Sequence, residues 1–337
     1  MFQYYFFAVL LAATVALAVT GLSGFLFIPM LRRLKYGQNI NEEGPTWHKG
    51  KQGTPTMGGV MFIFGSFFGL LCAYLLLSGF LQSIQAGGFG VLMLGVGATL
   101  LYSLVGFVDD YIKVKHKENL GLRWWQKILM QALISGAFMW GLHAMGQLAT
   151  AITLPFFGPV DLGVVFYPLA FLLLIGMVNA VNLTDGLDGL ASSVTLWVLC
   201  GYLVLFVLLD KYVLSLWAAA LGGGCIGFLL WNFYPAKVFM GDTGSMFLGG
   251  AVTTLAFCMG RPEIILLLGV IYLAEAFSVM IQVTYFKITH GKRLFKMTPI
   301  HHHFEMKGWS EPLIVASFSF VTLACAILAI IITYITL

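Results

Sequence analysis

The sequence predicts an all-α polytopic membrane protein with about ten transmembrane helices. Of its 337 residues, 60% are hydrophobic and only 9% are charged, which is too few charges to cover the surface of a water-soluble domain. Apolar runs recur along the whole chain and leave no soluble stretch of domain size. We therefore expect a single membrane domain that covers residues 1–337.

Ten runs are long enough to cross the hydrocarbon core, which takes about 20 mostly apolar residues. The first run lacks the basic segment of a cleaved signal and is interpreted as a retained span. After the fourth run, Pro155, Gly158 and Pro159 separate short β-prone pieces, which predicts a small external β-hairpin within residues 147–163. The predicted spans are 5–30, 57–79, 89–110, 125–146, 164–182, 189–209, 213–231, 244–260, 263–286 and 312–335.

The basic residues predict the orientation of these spans. Of the 18 Lys and Arg residues, only Lys211 and Arg261 lie in even-numbered loops. Because Lys and Arg accumulate in cytoplasmic loops, both termini should be periplasmic and the five odd-numbered loops cytoplasmic. The cytoplasmic set is Arg32, Arg33, Lys35, Lys49, Lys51, Lys113, Lys115, Lys117, Arg123, Lys127, Lys237, Lys287, Lys292, Arg293, Lys296 and Lys307.

Five carboxylates lie where a bilayer makes charge expensive, all at the predicted cytoplasmic face. Asp109 and Asp110 end the third run, and Asp242 lies in the loop VFMGDTGS. Asp185 and Asp188, three residues apart, would share one face if their segment is helical. A single carboxylate of this kind is often just a solvated helix end or a helix cap. A cluster without Cys or spaced His instead suits Mg²⁺ together with a phosphate.

Two further polar features lie near the C-terminus. The last cytoplasmic loop carries a basic stretch followed by His301, His302 and His303. Consecutive residues cannot all face one point, so anion binding by one or two of them is favoured over a three-histidine metal site. Glu275 lies within the ninth run, with Gln282 about two turns further on. A carboxylate at this depth should face the bundle or a wet cavity, and the sequence does not identify its partner.

Five motifs carry a resemblance to a known family: GTPTMGG at 53–59, the acidic pair followed by Tyr111, NAVNLTDGLDGLA at 179–191, FMGDTGS at 239–245 and GKRLFKMTPIHHHFE at 291–305. In this order they resemble the polyprenyl-phosphate N-acetylhexosamine-1-phosphate transferases, and within them the phospho-N-acetylmuramoyl-pentapeptide transferase branch. The resemblance implies Mg²⁺-dependent transfer of phospho-N-acetylmuramoyl-pentapeptide from UDP-N-acetylmuramoyl-pentapeptide to undecaprenyl phosphate. UMP is released and the first lipid-linked peptidoglycan precursor is made. It also implies a bacterial inner membrane, with the active site facing the cytoplasm.

The same resemblance suggests a role for individual residues. Asp242 matches the magnesium ligand, and Asp109 and Asp110 match the essential acidic pair. Lys127 and His301 are counted with them as catalytic. The residues expected around the uracil are Lys51, Gly186, Leu187, Asp188 and Phe239. Those expected around the ribose and phosphates are Thr56, Asn182, Asp185, Asn232 and Gly241. Gln282 and His302 are expected towards the sugar-peptide end, and His303 is a further expected substrate-binding residue.

Several alternatives stay open at this point. The transfer is either a direct displacement, in which Asp109 accepts a proton from or orients the lipid phosphate, or it passes through a covalent phospho-sugar aspartate. The nearest rival function is transfer of N-acetylglucosamine-1-phosphate to the same lipid. A transporter is more distant, because its charges should lie near the membrane midplane. A scaffold without catalysis would leave the acidic and histidine clusters unexplained. Membrane lipid is an expected partner, nucleic acid is not, and a homodimer is left open.

Overall fold

The computed structural model describes residues 2–33, 51, 53–81, 86–116, 120–155 and 157–337. In these ranges the chain forms twelve α-helices and one two-stranded sheet. The helices are α1 Phe2–Arg33, α2 Gly59–Leu81, α3 Ala86–His116, α4 Trp124–Ala144, α5 Phe166–Thr184, α6 Leu190–Leu208, α7 Tyr212–Asn232, α8 Gly241–Met259, α9 Ile265–Leu268, α10 Val270–Ile288, α11 Ile300–Glu305 and α12 Glu311–Ile335. The strands are β1 Ala151–Leu154 and β2 Gly158–Asp161.

The long helices account for the predicted apolar runs. Among the described residues, eight helices are long and apolar enough to cross a membrane, namely α1, α2, α3, α5, α6, α7, α10 and α12. The chain is therefore a multi-pass membrane protein. Helices α4 and α8 coincide with two further predicted spans but are less apolar. In α8 every residue from Thr243 to Met259 is buried. It can carry Gly, Ser and Thr because it faces other helices rather than lipid.

The ninth predicted span is not the continuous helix that the sequence suggested. A 3₁₀ turn at Pro262–Ile264 leads into the four-residue helix α9, and the long helix α10 starts only after Gly269. The membrane-spanning helix of the ninth run therefore begins at Val270 rather than at the predicted limit of 263. Hydropathy counts apolar side chains and does not register a local change of backbone direction between two apolar pieces.

Helices α7 and α8 form the centre of the bundle. Helix α1 packs on α2 and α7, α3 and α5 pack on α8, and α6 packs between α7 and α12. The amino end of α8 is thus enclosed by α3 on one side and α5 on another. Because the acidic motifs stand at the ends of these three helices, the packing of the bundle brings them together.

The loop between α4 and α5 contains the predicted β-hairpin. Strands β1 and β2 are antiparallel, with Ala151 opposite Asp161 and Leu154 opposite Gly158. The backbone N–H of Thr153 donates to Glu263 Oε1 at 3.2 Å, and that oxygen is 2.6 Å from Arg261 Nε. The prediction of a small hairpin within 147–163 is confirmed. Three basic residues counted as cytoplasmic, Lys35, Lys49 and Lys117, lie outside the described residues.

Candidate active site

Helix α8 begins in contact with the carboxyl-terminal part of α3. Asp110 accepts hydrogen bonds from the backbone N–H groups of Asp242 at 3.1 Å and Thr243 at 2.8 Å. It also accepts one from the Thr243 hydroxyl at 2.7 Å. The first N–H groups of a helix lack partners within the helix and attract negative charge. Asp110 therefore caps α8 from a different helix, and Asp242 is fixed within the capped turn.

Position 241 accepts only glycine in this arrangement. Gly241 has φ +69, a left-handed conformation that side chains disfavour. A Cβ atom there would lie 2.6 Å from Asp110 Oδ2 and 2.9 Å from Thr56 Oγ1. The close approach of these backbones is what lets a carboxylate of α3 reach the start of α8.

Two lysines bridge Asp109 and Asp242. Lys113 Nζ is 2.6 Å from Asp109 Oδ2 and 3.2 Å from Asp242 Oδ2. Lys127 Nζ is 3.0 Å from Asp109 Oδ2 and 2.7 Å from Asp242 Oδ2. We call Asp109, Asp110, Asp242, Lys113 and Lys127 the acidic centre. It joins residues of α3, α4 and α8, and its buried negative charge is compensated by cations, as burial of charge requires.

The remaining contacts of the acidic centre come from backbone and amide groups. Asp109 is completely buried, and its Oδ1 accepts the backbone N–H of Leu122 at 2.7 Å. Asn182, at the end of α5, donates through Nδ2 to Asp242 Oδ1 at 3.0 Å and to Ser245 Oγ at 2.7 Å. Asn182, which the motif placed around the ribose and phosphates, therefore contacts the acidic centre.

The acidic centre has the donor set of a divalent-cation site. One carboxylate oxygen from each of Asp109, Asp110 and Asp242 lies within 4.8 Å of the others. Both oxygens of Asp110 already accept hydrogen bonds, whereas Asp242 keeps 18% of its side chain exposed. Oxygen donors of this kind suit Mg²⁺, which takes one or two carboxylates and shares its other positions with water and phosphate. Asp242 and Asp109 are the residues best placed to hold it.

Asp185 and Asp188 lie in a turn, not on a helix face. Helix α5 ends at Thr184, and α6 begins at Leu190 after Gly189, which has φ +78. The expectation that the two carboxylates share one face of a helix was therefore wrong. The glycines of DGLDG interrupt the periodicity, and the turn places the two side chains in different surroundings.

Asp188 takes part in an ion-pair network with Lys51 and Glu311. Lys51 Nζ is 2.7 Å from a carboxylate oxygen of each. Glu311 also accepts the backbone N–H of Asp188 at 3.2 Å, and Asp188 accepts that of Ala236 at 2.8 Å. Burial alone lowers the pKa of Lys51, but the hydrogen bonds and charges of the two carboxylates outweigh it, so the pKa is raised. Lys51 is thus a firmly charged group beside the turn.

Asp185 differs from its neighbours because no hydrogen-bond donor to its carboxylate is found among the described residues. Its pKa is raised well above the usual value, first by desolvation and then by the negative charges of Asp242, Asp110 and Asp188. Asp185 therefore feels the charge of both the acidic centre and the ion-pair network.

Other predicted substrate residues hold the surrounding loops together. Asn232 accepts the backbone N–H of Gly189 at 3.2 Å and donates to the carbonyl of Val238 at 2.9 Å. Phe239 pairs through its backbone with the predicted GTPTMGG segment, accepting the N–H of Gly58 at 2.8 Å. Leu187 is buried in the hydrophobic core. These residues hold the backbone around the site in place, whereas Lys51 and Asp242 contribute charged groups to the site.

Helices α10 and α11, with residues 289–299 between them, form what we call the histidine arm. Gln282 Oε1 accepts the N–H groups of Leu294 at 3.0 Å and Phe295 at 2.9 Å, and its Nε2 donates to the Phe295 carbonyl at 3.1 Å. Its amide therefore anchors the loop. His303 Nδ1 accepts the backbone N–H of Lys296 at 3.1 Å.

The three histidines have different partners. His302 Nδ1 lies 2.6 Å from Glu305 Oε2, and His301 Nδ1 lies 3.0 Å from Glu275 Oε1. The pKa of His303 is lowered by desolvation and by the charges of Lys307 and Lys296. The three neighbouring side chains thus have three different sets of polar neighbours.

Sequence reasoning missed several residues of the site. Lys113 was counted only as a cytoplasmic charge, although its position four residues after Asp109 puts both on one helix face. Ser245 stands three residues after Asp242 and could have been found in the same way. The position of Glu311 gave no such signal, because acidic residues are common in the first turn of any helix.

Comparison with known proteins gives two family matches. The Glycosyl transferase family 4 model matches residues 92–260. The model described as phospho-N-acetylmuramoyl-pentapeptide-transferase signature 1 matches residues 51–63. The first match contains Asp109, Lys127 and Asp242, and the second contains Lys51 and Thr56.

Full-length relatives share much of the sequence. The chain is 48% identical over 321 residues to a phospho-N-acetylmuramoyl-pentapeptide-transferase of Heliobacterium modesticaldum, covering 95% of this chain and 96% of the relative. It is 46% identical to one of Pelotomaculum thermopropionicum, with coverage of 94% and 95%. It is 44% identical to one of Caldanaerobacter subterraneus, with coverage of 96% on both sides.

Proposed function

The chain belongs to the phospho-N-acetylmuramoyl-pentapeptide-transferase family, and from this premise we propose the reaction that it catalyses. The enzyme transfers phospho-N-acetylmuramoyl-pentapeptide from its UDP carrier to a membrane lipid acceptor, undecaprenyl phosphate. An oxygen of the lipid phosphate forms a bond to the sugar-linked phosphorus of the diphosphate. The bond to the bridging oxygen breaks, and UMP leaves with that oxygen.

The acidic centre is the observation that carries this proposal. A diphosphate and a lipid phosphate repel one another, so their reaction needs positive charge close to the transferred phosphorus. Lys113 and Lys127 supply two ammonium groups within 3.2 Å of Asp242. Mg²⁺, when bound by Asp242 and Asp109, supplies further charge that stabilises the diphosphate and the leaving UMP.

A direct displacement fits the surroundings of Asp109 better than covalent catalysis by it. Asp109 is fully buried and is contacted by the Leu122 N–H and by two ammonium groups. These contacts hold its oxygens in place and oppose an attack on phosphorus. We therefore assign Asp109 the role of orienting the lysines and, through them, the lipid phosphate.

The other parts of the substrate are assigned to the ion-pair network, the turn at Asp185 and the histidine arm. The network of Lys51, Asp188 and Glu311 binds the uracil, since a fixed ammonium and a carboxylate match the carbonyl and N–H groups of that base. Asp185 contacts the ribose and phosphates with Thr56 and Gly241, and Gly186, next in the same turn, lies towards the uracil. The histidine arm faces the sugar-peptide end, with His301 among the catalytic residues. Residues 1–337 act as one catalytic domain.

We also propose the membrane arrangement. Helices α4 and α8 complete a set of ten spans, and both termini are periplasmic. The active site then opens to the cytoplasm of a bacterial inner membrane. The placement of 16 of 18 Lys and Arg residues supports this orientation. A basic cytoplasmic face favours the approach of two anionic substrates.

The direct test is UMP release by the purified protein in detergent with Mg²⁺ and undecaprenyl phosphate. UDP-N-acetylmuramoyl-pentapeptide and UDP-N-acetylglucosamine are supplied in parallel. We expect release from the muramoyl substrate only, and a loss of about a thousandfold with EDTA or with Asp242→Asn. Asp161→Asn, which removes an exposed carboxylate of the β-hairpin, is the matched control and should keep full activity.

Each other outcome changes the conclusion. Release from the acetylglucosamine substrate alone would assign the chain to the sister reaction. Release from neither would contradict a transferase function and favour a transporter. Full activity of Asp242→Asn would remove the acidic centre from the mechanism.

A further inference from the structure

The buried carboxylate of Glu275 finds its partner in the histidine arm. Helix α11 packs against α10. His301 lies beside Glu275, which stands about two turns, or about 10 Å, before Gln282 on α10. Glu275 and His301 are both completely buried. Glu275 Oε1 lies 3.0 Å from His301 Nδ1, and Oε2 accepts the backbone N–H of the same residue at 3.4 Å. One carboxylate thus contacts both the ring and the backbone of a single histidine.

The opposite side of the ring faces the turn between α5 and α6. A Cβ atom at Gly186 would lie 2.3 Å from His301 Nε2 and 2.5 Å from Cε1. Only the absence of a side chain at 186 allows the imidazole to lie against this backbone. Gly186 follows Asp185, and our proposed function brings the ribose and phosphates of the substrate to this turn.

The two ring nitrogens therefore have different environments. Nδ1 lies 3.0 Å from Oε1 of Glu275, a contact without hydrogen-bond geometry, and a carboxylate beside one ring nitrogen commonly orients a functional histidine. Nε2 is buried and has no hydrogen-bond partner among the described residues. A buried polar atom without a partner is costly. Nε2 lies against the Gly186 backbone, at the edge of the proposed substrate-binding turn.

Because Glu275 is completely buried, its carboxylate stabilises the fold less than an apolar side chain would at the same position. A carboxylate inside a membrane bundle is expensive even when paired, and an apolar side chain of similar size would pack at lower cost. The pair is better explained by what it does to His301. It prevents the ring from rotating and keeps Nε2 directed at Gly186.

We infer that Glu275 is a positioning residue that holds the His301 imidazole with Nε2 aimed at the substrate bound on the Asp185–Gly186 turn. The inference rests on the proposed function, because it takes the bound substrate to be the UDP-linked sugar. Glu275 itself does not touch the substrate. It acts through the ring of His301, and Gly186 provides the space.

The experiment compares Glu275→Leu, Glu275→Gln and His301→Ala in the UMP-release assay, each with a melting temperature. Glu275→Leu should lower kcat by about 100-fold and change KM for the UDP substrate by no more than about twofold. Its Tm should be unchanged or higher, because a buried charge is removed. Glu275→Gln should lose less activity, since the amide keeps the shape of the carboxylate and can still accept the backbone N–H of His301.

A double variant separates positioning from independent effects. Glu275→Leu combined with His301→Ala should be no slower than His301→Ala alone, because Glu275 then has no ring to hold. Ser278→Ala is the matched control. Ser278 is buried one turn further along the same helix, and its hydroxyl bonds only the carbonyl of Glu275, so its kcat should be that of the unmodified protein.

Two results would overturn the inference. One is near-normal kcat in Glu275→Leu; the other is a parallel fall of Tm and kcat with additive losses in the double variant, which would mean a structural role. If the leucine variant does not accumulate, Glu275→Gln carries the same comparison. Failure of the unmodified protein to release UMP would contradict the proposed function, whereas an active unmodified protein with an equally active Glu275→Leu contradicts only the inference.

Discussion

The acidic centre and the histidine arm differ in how their polar groups are satisfied. In the acidic centre Asp109 and Asp242 are bridged by two lysines, and Asp110 is saturated by N–H and O–H donors at the start of α8. In the histidine arm the main contacts are neutral hydrogen bonds to loop backbone, and His301 Nε2 is left without a partner among the described residues. Charge is concentrated where the proposed reaction brings phosphates together, and hydrogen bonds to loop backbone predominate where we propose that the sugar lies.

The largest expected effect tests whether the two neighbouring aspartates of the acidic centre have separate roles. Asp109→Asn and Asp110→Asn should each lower UMP release by about a thousandfold. Only Asp110→Asn should also destabilise the protein markedly, by about 1–3 kcal/mol, because its amide NH₂ would face the backbone N–H groups of α8. Activity and thermal unfolding measured on both variants check this. Equal Tm values would show that the cap of α8 does not depend on the charge of Asp110.

A smaller effect is expected for Lys113, which lies on the same face as Asp109. Lys113→Ala should lower kcat by about 100-fold, because one of two ammonium groups near the diphosphate is lost. Lys115→Ala is the matched control, since that exposed side chain belongs to the same helix and only approaches the ring of Tyr111. Steady-state kinetics of both variants would decide. Equal losses would mean that the general basic character of the face matters rather than this contact.

The ion-pair network provides a test of binding without chemistry. Glu311→Gln should raise KM for the UDP substrate about tenfold, because Lys51 and the backbone of Asp188 each lose a charged partner, while kcat stays within about twofold. A fall of kcat with unchanged KM would instead assign the network to the chemical step. Glu263→Gln, at the base of the β-hairpin, serves as a control carboxylate that should leave both constants unchanged.

The smallest effect concerns Asp185, which lies between the two regions. Its pKa is raised in the folded protein. Ionisation of Asp185 therefore lowers the stability of the fold: the loss begins above the pKa of the unfolded chain, grows with pH and is complete above the pKa of the folded protein. Asp185→Asn should therefore raise Tm by about 2 °C at pH 8, and by less at pH 5. The measurement is made in EDTA, so that bound cations do not contribute. A Tm gain that grows towards low pH would contradict the sign.

The sequence predicted the long elements well because the bilayer restricts them. Each of the ten apolar runs contains a long helix, and the positions of Asp109, Asp242 and Lys127 could be linked through the motifs. Helix length and hydropathy are local properties, so a single chain reveals them. The orientation of the chain in the membrane and the count of ten spans stay predictions.

What escaped prediction depends on distant contacts or on a local break. Glycines turned the segment of Asp185 and Asp188 away from the helical spacing that was expected. Glu275 was recognised as costly, yet its partner lies 26 residues further on, in another helix. No periodicity within either segment shows that the arm folds back so that they meet. The role of Gln282 as a loop anchor was hidden for the same reason.

The cap that Asp110 gives to α8 spans 132 residues of sequence, and this has a consequence for biosynthesis. As the ribosome delivers the chain, α3 enters the bilayer long before α8 exists, because amino-terminal parts are made and folded first. Until α8 arrives, the carboxylate of Asp110 lacks its donors and is a burden to the unfinished bundle. When the motif GDTGS is made, its backbone N–H groups can donate to Asp110, and the acidic centre is completed at the same time. Docking of α8 against α3 and completion of the acidic centre are thus the same step.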